Sequence, residues 1–124
     1  MADQPSLKTI ALDVRELLHA AGLIADKESP KGSGGFTVSV VRGRVEVGWT
    51  ASDDLYDHSF ELEPNQPQHP LVQFERTATA IMEHALGEIL YAAGYGVARV
   101  PEAGDTDSFV FVLTEPRVKP WRAS

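Results

Sequence analysis

The stretch from Leu71 to Ala93, LVQFERTATAIMEHALGEILYAA, is the longest uninterrupted amphipathic run in the chain. Its apolar residues recur at Phe74, Ala78, Ile81, Met82, Ala85, Leu86, Ile89, Leu90 and Ala93. Steps of three and four place them on one stripe of a 3.6-residue helix. Pro70 stands where proline is tolerated, at the first helical position. Gly94 follows the last periodic residue, where a left-handed cap is expected. Such a helix is roughly 35 Å long, enough to cross a small domain. Its stripe is wider than a two-helix seam needs, which predicts packing on a sheet. Gly87 within it costs up to about 1 kcal/mol relative to alanine. It marks either a close backbone approach or an exposed face.

The remaining elements are shorter. Ser6 is placed to cap a first helix, Leu7 to about Ala21, with Leu7, Ile10, Ala11, Val14, Leu17, Leu18 and Ala21 on one side. Gly22 ends it, and Leu23 can fold back on Leu18 in a Schellman arrangement. Leu23 to Glu28 suits a short edge strand, and Ser29 to Gly35 is a loop by composition. Phe36, Val38 and Val40 alternate with polar residues, as do Val45, Val47 and Trp49, with Arg42-Gly43 between them. That is an antiparallel hairpin. Ser52 to Asp57 reads as an acidic turn. His58 to Glu63 reads as a third strand, from the alternation of Phe60 and Leu62. After Gly94, Tyr95–Val100 and Phe109–Leu113 read as two more strands around the turn Pro101–Asp107. The second is apolar at every position, which suits a strand that is buried on both faces or lies centrally.

Two helix ends echo each other: Glu16-Leu17-Leu18-His19-Ala20-Ala21-Gly22 and Glu88-Ile89-Leu90-Tyr91-Ala92-Ala93-Gly94, each followed by strands. The predicted order is α-β-β-(β)-α-β-β. It implies a single α+β domain over residues 1–124, with terminal tails at 1–5 and 116–124. The predicted architecture is a two-layer sandwich, two helices on one face of an antiparallel sheet of about five strands. The echo admits a degenerate internal duplication.

The 124 residues, 43% hydrophobic, suit one domain with a proper core. No apolar run approaches the roughly 18 residues of a membrane span, and MADQPSLK carries no signal-peptide pattern. Neither a membrane partner nor a leader is expected. There is no cysteine, which rules out disulfides, thiolate nucleophiles and cysteine-bound zinc, and fits a cytoplasmic location. The arginine, alanine and valine usage suits a bacterial, GC-rich source. The formal net charge of −7 repels phosphate backbones, so nucleic acid is not an expected partner.

The most unusual local feature is acidic. Asp53, Asp54, Asp57, Glu61 and Glu63 fall between Ala51 and Pro70 with no lysine or arginine among them. They offer a negative surface to a basic partner, a solvated turn, or, with His58 and His69, ligands for a divalent cation. The spacing is not that of an EF-hand. Lys31-Gly32-Ser33-Gly34-Gly35 lacks phosphate-loop spacing and precedes a strand rather than a helix, so it reads as a connection. His19 and His84 lie on polar helix sides. Trp49 reads as core. Trp121 lies in a basic tail with Arg117, Lys119 and Arg122, and is a candidate anchor onto the acidic segment.

No catalytic constellation, metal site or cofactor motif is found. The sequence therefore points to a small acidic protein-binding module without catalytic activity of its own, of the adaptor, chaperone, inhibitor or immunity type. Its partner is basic or offers a hydrophobic segment, and it forms a homodimer. Its expected contact residues are Asp53, Asp54, Asp57, Glu61, Glu63 and Trp121. The alternative is a small-ligand or divalent-metal site, or an enzyme, built on Asp54, Asp57, His58 and His69. A weaker third reading is an acidic mimic of DNA.

Overall fold

The computed structural model describes residues 6–30, 32–101 and 108–116. Its elements are α1 (Leu7–Ala20), a 3-10 turn (Asp26–Glu28), β1 (Gly35–Val41), β2 (Arg44–Thr50), α2 (Asp53–Leu62), α3 (Pro70–Ala92), β3 (Gly96–Pro101) and β4 (Ser108–Thr114). The fold is mixed α+β. The described strands form one antiparallel sheet in the order β1-β2-β4-β3.

Local chemistry accounts for the long elements. The Ser6 hydroxyl accepts from the Thr9 amide and starts α1. Pro70 stands at the start of α3, and the His69 ring caps it, its Nδ1 accepting from the Leu71 amide at 3.1 Å. Both helices end alike. Leu23 N–H donates to Leu18 C=O and Gly22 N–H to His19 C=O; Tyr95 N–H donates to Leu90 C=O and Gly94 N–H to Tyr91 C=O. Gly22 and Gly94 take φ of 94° and 98°, the left-handed turn of a Schellman end. In the β1–β2 hairpin, Arg42 and Gly43 both have positive φ, and Val41 pairs with Arg44. A two-residue loop of that kind matches the twist of the strands.

One face of the sheet is the core. Register pairs Phe36 with Trp49, Val38 with Val47, Val47 with Val110, and Val45 with Val112. These side chains share one apolar cluster with Val14, Leu17 and Leu18 of α1 and Leu86 and Leu90 of α3. The two helices touch each other over the strands. The second strand after each long helix, β2 or β4, lies at the centre of the sheet. β4 is thus interior, as its apolar sequence predicts. Val110 and Val112 are buried, while the side chains of Phe109, Phe111 and Leu113 lie outside the described residues.

Several expectations are corrected. The described sheet has four strands rather than about five, and the described residues form three α-helices rather than two. His58–Glu63 is no strand: it belongs to the end of α2. Two alternating apolar residues cannot outweigh a capped helix start. Ser52 Oγ accepts from the Leu55 amide, and Asp53 and Asp54 in the first turn complement the helix dipole. Leu23–Glu28 is no edge strand either. It makes a lone parallel bridge, Ala25 to Phe36, and then the 3-10 turn. On α3, Phe74 and Ile81 are outside the core, 60% and 62% exposed, while Glu83 and Gly87 are inside it. Trp49 is partly buried against the core cluster. The tail at 1–5 and, beyond Pro116, the tail at 116–124 with Arg117, Lys119, Trp121 and Arg122 lie outside the described residues.

The glycine-rich segment is a structural clasp. Gly34 has φ 83°, and a Cβ there would stand 2.4 Å from the Thr50 carbonyl oxygen. The Asp53 amide donates to Gly32 C=O at 2.9 Å, which ties the same segment to the start of α2. Gly34→Ala combines a disfavoured backbone angle with a clash that only backbone movement relieves. It should destabilise the domain by more than about 1 kcal/mol. Urea denaturation should show the loss as a lower midpoint with an unchanged slope.

Candidate functional site

The acidic residues singled out in the sequence are helical, which changes what they can do. Along α2, Asp53, Asp57 and Glu61 follow one another at four-residue steps and form a row. Asp54 and His58 flank it, and all five are exposed. Leu55, Ser59 and Leu62 form the opposite row; α2 packs on α3, and Ser59 is buried. Beside the carboxylate row stand Tyr56 and Phe60. Their rings stack with centroids 6.2 Å apart and planes 18° from parallel. They are 50% and 66% exposed. An acidic row and an aromatic row thus run side by side on a short helix, with no lysine or arginine in it.

Glu63 does not join that row. It is the C-cap residue of α2, half-buried, and it accepts from the Arg76 guanidinium of α3. This pair ties the two helices together across the proline-rich connection, which is also held where the Gln73 side-chain amide donates to Pro67 C=O at 2.8 Å. His69 is committed to capping α3 through Nδ1. The proposed quartet of Asp54, Asp57, His58 and His69 is therefore not one cluster. Among the described residues no group of three histidine, aspartate or glutamate side chains is placed to hold a metal ion. Trp121 lies outside the described residues.

The structure also brings together residues that sequence reasoning did not connect. A cleft of about 200 Å³ opens where the end of β2 meets α2 and α3. Trp49, Thr50 and Tyr56 line it together with Glu75, Thr79 and Glu83. The last three stand at four-residue steps on α3 and make a polar row along its inner side. Thr79 Oγ1 donates to Glu75 Oε1 at 3.4 Å. Glu83 is only 4% exposed. Tyr56 belongs both to this cleft and to the stacked pair, so the cleft opens directly beside the aromatic row. The signal for this row was present in the sequence, but a search for apolar periodicity passes over polar residues at the same spacing. A second cavity of about 210 Å³ lies between α1, the 3-10 turn and β1, lined by Arg15, Lys27, Glu28, Phe36 and Val38 among others. Near it His19 meets the Phe36 ring edge-on and Glu28 at 3.1 Å.

Comparison with known proteins finds no family model, no curated protein and no solved structure that matches this chain. No helix among the described residues is long and apolar enough to cross a membrane.

The exposure of Tyr56 and Phe60 makes a clear expectation for stability. Neither ring is held in the core, so Tyr56→Ala and Phe60→Ala should each change unfolding free energy by no more than about 0.5 kcal/mol. Leu86→Ala, at a fully buried core position, should cost about 2–5 kcal/mol. Chemical denaturation of the three variants side by side checks this. A large loss in either aromatic variant would show that the rings serve the fold.

Proposed function

We propose that this chain is a protein-binding module whose working surface is the outward side of α2. The observation that carries this reading is the stacked, exposed Tyr56–Phe60 pair beside the row of Asp53, Asp57 and Glu61. Exposed aromatic rings are costly to leave in water and are typical anchors of interfaces. A carboxylate row steers a partner of opposite charge and fixes its register. The partner that satisfies both is a basic segment that also carries apolar side chains. Its lysine or arginine groups would meet the carboxylates, its apolar groups would cover the rings, and the cleft at Trp49 and Tyr56 would accept one side chain at the end of the row. Glu75 and Glu83 in that cleft favour a cationic side chain there. The module acts by binding, in the manner of an adaptor, chaperone, inhibitor or immunity protein.

A second reading keeps one observation in its favour. The same cleft is large enough for a small cationic ligand, with carboxylates and aromatic walls of the kind that bind ammonium groups. A divalent metal would use the carboxylates alone. A thermal-shift screen with divalent cations and small amines separates this reading from the first, since a ligand that binds only the folded state raises the melting temperature.

The test of the first reading is native capture from lysate followed by mass spectrometry, with wild type compared against Asp57→Lys/Glu61→Lys and Phe60→Ala. Wild type should capture a protein with a basic, partly apolar segment. Charge reversal should abolish that capture, and rising salt should weaken it. Phe60→Ala should weaken it by about tenfold or more. Capture that is indifferent to both variants would place the working surface elsewhere.

A further inference from the structure

The rotation of α3 leaves apolar residues outside that the core does not use. Its buried side holds Val72, Glu83, Leu86, Gly87 and Leu90. On the opposite side Leu71, Phe74, Ala78, Ile81 and Ala85 follow one another at steps of three, four, three and four. That is the spacing of a two-heptad coiled-coil seam. Phe74 and Ile81 are the exposed knobs, at 60% and 62%. A lone exposed hydrophobe needs no explanation, but a row in heptad register along one helix does.

We infer that this outer seam of α3 is a homodimer interface in which a second copy of the same helix packs antiparallel about a two-fold axis between Ala78 and Ile81. Two features select a second copy over another protein. The first is shape. In an antiparallel pair, positions of the two seam types face each other, so Phe74 meets Ala85 of the second copy and Ala78 meets its Ile81. Each of these layers then sets a large side chain against a small one, the two-fold repeats each contact, and the outermost layer sets Leu71 against Glu88 of the second copy. A parallel pair would stack Phe74 on Phe74 and leave Ala78 facing Ala78 across a void.

The second is charge. The chain carries −7, so two copies repel wherever their carboxylates meet. From Thr77 to Gly87 the one charged residue is Glu83, and it is buried on the far side. The flanks of the seam bring Thr77 opposite His84 of the second copy, and Met82 opposite its Glu75. Glu88, paired with His84 at 3.6 Å, falls at the seam's end, so the two copies' Glu88 groups stand far apart. Between Thr77 and Gly87 the strip carries no exposed carboxylate to draw a basic partner, and Glu75 and Glu88 at its ends face Met82 and Leu71 of the second copy rather than another carboxylate. The surface is separate from the aromatic and acidic rows of α2, and the inference does not rest on the binding reading of those rows.

The experiment is sedimentation velocity on the full chain from low to high micromolar concentration. Wild type should pass from monomer to dimer. Ile81→Glu should weaken association by about a hundredfold, by removing a buried apolar contact and placing a charge in the seam. Its far-UV circular dichroism should be unchanged, because residue 81 lies outside the core. Leu12→Glu on α1, at another exposed leucine, and Phe60→Ala on α2 should both leave the dimer intact. The chain has no cysteine. Mixed Ala78→Cys and Ile81→Cys chains should therefore cross-link on oxidation in preference to Ala78→Cys alone. A wild-type monomer at high micromolar concentration, or a dimer that survives Ile81→Glu, would overturn the interface. Preferential cross-linking of Ala78→Cys with itself would overturn the antiparallel register.

Discussion

The packing of Leu86 and Leu90 on the valines of β2 and β4 sets the rest of the molecule. These contacts fix the rotation of α3 about its own axis, and that rotation decides what each side of a 23-residue helix faces. A helix with a narrow apolar stripe would bury it whole. The apolar arc of α3 is broader than the sheet can cover, and the part buried carries Val72, Leu86 and Leu90. The same rotation turns Glu75, Thr79 and Glu83 inward, toward the end of β2 and α2. It turns Phe74 and Ile81 outward. The polar cleft and the exposed seam are thus two consequences of one geometric choice. Tertiary packing of the last two turns dictates it, and the residues of the first three turns follow.

How much of this was legible in the sequence differs from element to element for physical reasons. The ends of α1 and α3 were readable because each is written in local chemistry: Ser6, Pro70, Gly22 and Gly94 do their work within a few residues of themselves. The β1–β2 hairpin was readable for the same reason, through Arg42-Gly43 and clean alternation on both sides. α2 was not. Its only buried residue is a serine, and its two aromatic residues point away from the core. Apolar periodicity measures the face that packs inward only when the apolar residues are on that face. Here Phe60 is on the outer side, and with Leu62 it imitates a strand. The better signal was the cap, Ser52 followed by two aspartates. The acidic residues of the candidate site were legible as a group, but their arrangement in rows depends on the helix and was not.

The cleft is illegible in the sequence for a similar physical reason. Trp49, Tyr56 and Glu83 come from three elements and become neighbours only when β2 ends against the pair of helices. What holds that pair is partly ionic, at Glu63 and Arg76, and both groups remain partly exposed. Such a bridge contributes about 0–1 kcal/mol. The α2–α3 unit therefore depends mainly on Leu55, Ser59 and Leu62 packing on α3, a small contact compared with the valine and leucine core beneath α1. Stability is not uniform across a structure, and elements with few buried apolar contacts open first. The exposed acidic and aromatic rows of α2 are thus carried by the less anchored part of the fold.

Charge also distinguishes the outer sides of the two helices. An acidic protein can meet itself only where its carboxylates are absent, and can attract a basic partner only where they are concentrated. α3 supplies the first condition on its outer side and α2 the second, and the two helices are adjacent, joined by residues 63–69. The proline-rich connection, with His69 capping one helix and Glu63 ending the other, links the two surfaces directly. In an antiparallel dimer about α3, the two α2 surfaces would be related by the same two-fold axis. A partner with two basic segments at the matching distance would then gain from binding both at once, because the second contact forms within an existing complex. The same geometry limits what such a partner can be, since a linker too short to span the two rows gains nothing from the dimer.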